Sequence, residues 1–293
     1  MHLKELFRKK NFTLSFEVFP PTREGNLEKL FATVKELADL KPDFISVTYG
    51  AGGSTRDRTL EIASRVKKDF GTEALAHLTC VQSTRDDIAR ILDMFKAENI
   101  ENILALRGDP PAGAEKFVRP AGGFGHANEL VAFIRQTDHF SIGVAGYPEV
   151  HLEAPSFDVD LANLKRKVDA GADFITTQLF FSNDSFYRFR DRAWSLGIRI
   201  PILPGIFPIL NYRQVHRIVS LCGATIPATL GEKIDRLRDK SEEVEKYGIE
   251  YATRQAVNLI QNEVSGLHIY SMNRSEPVRM ILKELNLPKP QGS

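Results

Sequence analysis

Polar side chains able to hold protons or anions recur at one kind of place in this chain, just past a short apolar run. They are Glu17 in FEVFPP, Thr48 and Tyr49 in SVTYGAGG, His77 and Thr79 in AHLTC, and Arg107 and Asp109 in ALRGDPP. Further along come Tyr147 and His151 in GYPEVH, Gln178 in TTQLFF and Arg274 in SMNR. Glu17 is the candidate acid. It is flanked by Phe16, Val18 and Phe19 and followed by Pro20-Pro21, so an apolar setting is expected, and such a setting favours the protonated carboxyl that a general acid needs. The alternative is a buried glutamate ion-paired with Arg or Lys. Arg107-Gly108-Asp109 sets a cation and a carboxylate at a tight turn, with Gly108 letting a ligand approach the backbone; a salt-bridged loop is the competing reading. His77 alone reads as a core histidine, but within a ring of polar run-ends it reads as site lining.

Asp160, Asn163 and Lys167 are spaced i, i+3, i+7 and share one helix face with Arg166 beside them, a pattern that could hold a ribose and a diphosphate or could simply face solvent. No G-x-G-x-x-G or P-loop is present, so a dinucleotide would not be held in Rossmann fashion. Cys80 and Cys222 lie far apart, outside any zinc or disulfide spacing, so no metal is expected and a reducing cytoplasm is the expected home. Lys plus Arg number 39 against 38 Asp plus Glu, a net charge of +1, which gives no general attraction to nucleic acid or to an anionic membrane. No window approaches the roughly 18 apolar residues of a membrane span. The opening MHLKELFRKKNF is basic but lacks the apolar run of a signal peptide.

These polar ends need strands to carry them. Strand-length apolar runs cover Leu14–Phe19, Phe44–Tyr49, Ala74–Cys80, Asn102–Leu106, Ser141–Gly146, Phe174–Phe180, Ile200–Ile206 and Leu267–Tyr270. Amphipathic stretches lie between them: Leu27–Leu40, Arg58–Phe70, Asp86–Ala97, Asn128–Gln136, Asp160–Ala170, Asp184–Ser195 and Gln214–Leu221. Eight βα units in 293 residues predict an α/β fold, a single (β/α)8 TIM barrel over residues 1–293. The charged segment 228–263 predicts an extra helix before the last strand. The Gly/Pro-rich loop Asp109–Gly125 predicts a lid or cofactor rim, because βα loops form the catalytic face of this fold. Gly292 and Ser293 are expected to lie outside the fold.

In order, FEVFPP, SVTYGAGGSTRDRT, AHLTC, NILALRGDPP, GYPEVH, LKRKVDAGADFITTQLFF, ILPGIFP and YSMNR resemble the methylenetetrahydrofolate reductase family across essentially the whole chain. The resemblance implies noncovalent FAD and ping-pong reduction of 5,10-methylenetetrahydrofolate to 5-methyltetrahydrofolate by NADH or NADPH. Glu17 would then be the acid that protonates the folate amine as its five-membered ring opens, and Asp109 the carboxylate beside flavin and pterin. Thr48, Tyr49, Ala51, His77, Arg107, Gly108, Asp109, Ala127, Tyr147, His151, Ala154, Asp160, Asn163, Arg166 and Lys167 match FAD-contacting positions. Asp109, Gln178, Gln214 and Arg274 match folate-contacting ones.

The chain departs from the bacterial pattern at Ile218, where a phenylalanine usually stands, and more mildly at His126, where a Tyr-Ala pair often borders the FAD. Loss of that ring at Ile218 leaves the electron donor open, and some relatives take electrons from partner subunits or ferredoxin. A homo-oligomer is expected, an electron-donating partner subunit is the alternative, and the regulatory domain of eukaryotic members is expected to be absent. A flavin-free pterin transferase or aldolase barrel is the other enzyme reading, weakened because no predicted strand ends in lysine.

Overall fold

Strand residues alternate between two faces, and in this sheet both faces are covered, so the alternation sorts side chains between the inside of a barrel and the helices around it. The computed structural model describes residues 1–21, 27–49, 56–110, 113 and 116–288. Ala51, the rest of the Gly-rich stretch after Tyr49, part of the Asp109–Gly125 loop, and Gly292 and Ser293 lie outside the described residues.

The strands are β1 (Thr13–Val18), β2 (Phe44–Val47), β3 (Glu73–Thr79), β4 (Asn102–Leu106), β5 (Ser141–Gly146), β6 (Phe174–Leu179), β7 (Ile202–Ile206) and β8 (Gly266–Tyr270). They close as a parallel barrel in sequence order, β8 pairing with β1. Helices α2 (Leu27–Ala38), α3 (Arg56–Lys68), α4 (Arg85–Ala97), α5 (Ala127–Arg135), α6 (Phe157–Asp169), α7 (Asn183–Ser195), α8 (Tyr212–Cys222) and α11 (Ser275–Lys283) each follow a strand. This is the (β/α)8 barrel that the repeated pattern predicts. Outward residues such as Phe16, Val18, Ile45, Val47, Ile142 and Val144 are buried against the helices in one large apolar cluster. α4 starts on a reciprocal cap in which Thr84 accepts from the Asp87 N–H and Asp87 accepts from the Thr84 N–H, satisfying two donors that have no partner within the helix.

One feature was not legible in the chain's periodicity. The basic N-terminal stretch forms α1 (Leu3–Lys9), which closes the amino-terminal end of the barrel. Leu3 and Leu6 enter a cluster with Phe44, Leu75, Leu104, Phe174 and Leu203, each worth about 1.5–3 kcal/mol of burial. The first free N–H groups of α1 are met by barrel side chains: Leu3 N–H by Asn102 Oδ1 at 2.8 Å and Lys4 N–H by Ser141 Oγ at 2.9 Å. The segment after α8, longer than one helix, holds α9 (Ala228–Leu237) and α10 (Ser241–Gln261). α10 lies so close to the loop after β7 that a Cβ on Gly248 would sit 1.9 Å from the Ile209 carbonyl oxygen.

Two glycines in neighbouring helices therefore respond oppositely to the same change. Gly248→Ala is expected to destabilise by at least about 2 kcal/mol, because the backbone must shift. In Gly231→Ala the new methyl meets nothing nearer than Ile226 Cγ2 at 3.6 Å, so that variant is expected to gain about 0.5–1 kcal/mol. Urea midpoints of the two variants against the parent measure both.

Candidate active site

Inward positions change character along the barrel axis. Phe44, Leu75 and Phe174 face the α1 end; two residues on, Ser46, His77 and Thr176 take their place, and above them a cavity of about 630 Å³ opens at the carboxyl ends of the strands. Glu17, Thr48, His77, Arg107, Gly108 and Asp109 line it from the first four strands. Ala127 lines it from the start of α5, and Tyr147, His151, Ala154 and Gln178 line it from β6 and the loop after β5. Asp160, Asn163, Arg166 and Lys167 line it from α6, so the i, i+3, i+7 stripe borders the cavity, half-buried, with Arg166 exposed beside it.

Glu17 does not have the apolar setting suggested by its sequence neighbours. Phe16 and Val18 alternate outward to the helices, and the inward neighbours of Glu17 are polar. His77 Nε2 and His268 Nε2 both lie 3.5 Å from the same oxygen, Glu17 Oε2. Ser46 Oγ is 2.6 Å from His77 Nε2, and Ser15 Oγ is 2.8 Å from His268 Nδ1. Among the described residues no Arg or Lys pairs with Glu17; its neighbours there are the two imidazoles. Burial pushes the His77 imidazole down to about 4, against the opposing pull of Glu17. Tyr270, beside Glu17 in the strand register, donates to Thr177 O at 2.9 Å and is held well above the usual phenol range, chiefly by burial. A register irregularity in β6 between Thr176 and Leu179 frees Thr177 Oγ1 to accept from Gly205 N–H at 2.9 Å, and both threonines reach the cavity.

On the opposite wall Arg107 makes a two-pronged ion pair with Glu153, at 2.5 and 2.6 Å, and its guanidinium lies 4.9 Å from the Phe117 ring centroid. Glu153 raises the Arg107 pKa, and Arg107 lowers that of Glu153. Lys167 Nζ donates to the Ala145 carbonyl at 2.5 Å; burial lowers its pKa to about 8, with Asp160 acting against the fall. Asp160 itself accepts from His151 N–H at 2.9 Å, and Arg166 donates to Asn163 Oδ1 at 2.7 Å. Between Tyr147 and His151 the chain passes through Val150 at φ 118°, a strained value for a β-branched residue. Glu149, which accepts from Thr225 N–H, and the Asp160 bond to His151 hold the backbone there.

Four described residues singled out by sequence fall outside this cavity. Thr79 is buried at the end of β3. Tyr49 packs against the large core cluster. Gln214 sits in the first turn of α8, where its N–H is capped by Asn211 Oδ1 at 3.2 Å. Arg274 lines a separate hollow with Phe19, Lys29 and Glu36 and is held two-pronged by Glu245, both contacts 2.7 Å. Ile218 lies partly buried against the cluster beneath α8 and α9. Conversely, Glu153, Asn128, Thr176, Thr177 and Tyr270 line the cavity beside His126, and His268 sits beneath it. Period two along GLHIY could have pointed to His268 and Tyr270 together; nothing in the pattern around Glu153 distinguishes it. Among the described residues no group of three His, Cys, Asp or Glu is arranged to hold a metal, and no helix is long and apolar enough to cross a membrane.

A closed parallel barrel with its polar cavity at the strand carboxyl ends has the layout of a TIM-barrel enzyme. A sequence model of the methylenetetrahydrofolate reductase family matches residues 2–286, and the chain belongs to that family. It is 42% identical to "Methylenetetrahydrofolate reductase (NADH) 1" of Arabidopsis thaliana, over 97% of this chain and 50% of that protein. It is 41% identical to 5,10-methylenetetrahydrofolate reductase of Escherichia coli, over 90% of this chain and 87% of that one. The chain thus spans about half the length of the plant relative. Among solved structures, a Clostridium thermocellum protein described as binding two copies of 5-methyl-5,6,7,8-tetrahydrofolic acid shares the fold, with TM-score 0.68, 14% identity and 96% of each chain covered.

The depressed His77 pKa has a consequence for acid stability. Between its ordinary 6.5 and about 4, the unfolded chain takes up a proton that the folded His77 does not. Stability contributed by neutral His77 is therefore complete above 6.5 and declines as pH falls toward 4, by up to about 1.4 kcal/mol per pH unit. His77→Gln is expected to flatten this part of the profile, read as urea midpoints at about pH 7.5 and pH 5; equal slopes in parent and variant would mean that His77 takes up its proton in the folded state as readily as in the unfolded chain.

Proposed function

We propose that this chain reduces 5,10-methylenetetrahydrofolate to 5-methyltetrahydrofolate, with FAD as its redox cofactor and NADH or NADPH as donor. The observation that carries the reading is the meeting of Glu17 with the α6 stripe in one cavity, in a chain of this family. The residues present fit a flavin dinucleotide. Lys167 has a backbone carbonyl as its hydrogen-bond partner, and Arg166 stands beside it, so anionic phosphates would be matched by cations at the cavity wall. Asp160 and Asn163 can bond ribose hydroxyls. Thr176 Oγ1 is buried in the cavity wall without a partner among the described residues, an unmet group of the kind that a polar ring edge satisfies.

Bound flavin supplies a two-electron carrier that exchanges hydride with nicotinamide and then with folate. The chain's own part is binding, orientation and one proton. Glu17 gives its proton to the folate nitrogen that departs when the five-membered ring opens, leaving an iminium carbon able to accept hydride. Asp109, exposed at the cavity rim, places negative charge where that cation develops. Gln178 faces the same cavity and would orient the pterin. The NADH in the plant relative's name supports NADH as donor. The aliphatic Ile218 supports a second reading, in which electrons come from a partner subunit or ferredoxin.

The test is anaerobic and separates the half-reactions. The purified protein should bind FAD, be bleached by NADH or NADPH, and regain colour with 5,10-methylenetetrahydrofolate. Failure to take up FAD overturns the proposal, while colour return after artificial reduction, with no bleaching by either nicotinamide, selects the partner reading. Glu17→Gln should slow reoxidation by folate on the order of 10²–10⁴-fold, the range of a general acid, with bleaching by donor changed no more than about twofold.

A further inference from the structure

His268 is the one histidine in the barrel interior to which neither the sequence pattern nor the proposed chemistry gives a task. It is fully buried, and it is held on three sides. Phe44 stacks at 6.4 Å between ring centroids with 20° between planes, Tyr270 meets it edge-on at 5.4 Å, and Ser15 Oγ lies 2.8 Å from Nδ1. Its free ring nitrogen, Nε2, points at Glu17 Oε2 from 3.5 Å. The Ser15 hydroxyl also donates to the Leu267 carbonyl at 3.3 Å. With its one hydrogen directed there, Ser15 accepts from His268 Nδ1–H, which leaves Nε2 with a lone pair toward Oε2. A neutral imidazole in that tautomer accepts from a carboxyl that carries its hydrogen on Oε2. Glu17 Oε1 has no hydrogen-bond partner among the described residues.

We propose, resting on the reading of Glu17 as the acid, that His268 is a positioning residue: with Ser15 fixing its tautomer, it orients the Glu17 carboxyl toward the substrate. His77 reaches the same oxygen from the other side, so Oε2 sits between two imidazoles and the carboxyl plane is fixed by contacts from β3 and β8. His268 touches neither cavity nor substrate and acts only through Glu17. Misplacing a reacting group by about 1 Å can cost on the order of 10²-fold in rate, and that is the scale on which His268 should matter.

Two substitutions distinguish orientation from packing. In His268→Asn the side-chain amide stops near the old Nδ1, keeping Ser15 and leaving Glu17 unmet. In His268→Gln the terminal amide extends to the old Nε2 and can meet Oε2. Rapid-mixing reoxidation of reduced, flavin-loaded enzyme by 5,10-methylenetetrahydrofolate should fall about ten- to a hundredfold in His268→Asn at saturating folate. His268→Gln should recover most of that loss. Half-saturating folate and bleaching by donor should stay within about twofold of the parent in both. Ser15→Ala, a smaller change, should slow folate reoxidation alone. Equal losses in the Asn and Gln variants, a parallel fall in donor bleaching, or parent-like reoxidation in His268→Asn and Ser15→Ala would each overturn the proposal. A parent enzyme whose reduced flavin is not reoxidised by folate overturns the functional reading instead.

Discussion

The site depends on one constraint: a carboxyl inside a closed parallel barrel can be met only by side chains on the same inward rows. β1 offers Ser15 and Glu17, β2 Ser46, β3 His77 and β8 His268. These five form a continuous polar belt across the barrel wall, Ser46 to His77 to Glu17 to His268 to Ser15. Below it Phe44, Leu75, Leu104, Phe174 and Leu203 form an apolar layer, and α1 seals the end with its first N–H groups met by Asn102 and Ser141. The belt is therefore the boundary between a dry plug and the open cavity. Buried polar groups are tolerable here because each meets another, and the arrangement would fail piecemeal if one member were lost.

The opposite wall works by a different principle. Arg107, Lys167 and Arg166 bring three cations to one side of the cavity, while the acids nearest to them are engaged: Glu153 by Arg107, Asp160 by the His151 N–H. Burial lowers the Lys167 pKa to about 8, with Asp160 acting against the fall. One barrel thus divides its mouth into a side of carboxyl and imidazole groups at β1, β3 and β8 and a cationic side at α6 and the loop after β4. Such a division suits a ligand that is anionic at one end and reactive at the other.

The strands were legible because eight apolar runs of similar length leave few alternatives, and Glu17, His77, Arg107, Tyr147 and Gln178 are among the polar run-ends that line the cavity. α1 was illegible because its apolar residues, Leu3, Leu6 and Phe7, are too few to show a period and are surrounded by basic residues. The setting of Glu17 was inferred from adjacent residues, yet in a strand adjacent residues face away; the informative neighbours are two positions off or on another strand. Gln214 was placed by motif alone, Tyr49 and Arg274 by motif and by their position just past an apolar run, and neither signal reports which way a loop turns.

The loop after β5 shows what motif leaves out. GYPEVH reads as a strand end followed by polar residues, and Tyr147 and His151 do reach the cavity, their rings edge to face at 4.7 Å. To get from one to the other the chain bends through Val150 at φ 118°, a conformation that costs of order 1–3 kcal/mol and that valine would not adopt unaided. It persists because Glu149 is anchored across the gap to Thr225, beyond α8, while His151 is anchored to α6 through Asp160. The bend therefore couples the anion-matching wall to the stretch joining α8 and α9. A strained turn fixed at both ends sets the direction of His151 more narrowly than a relaxed loop would, because neither anchor can move without the other.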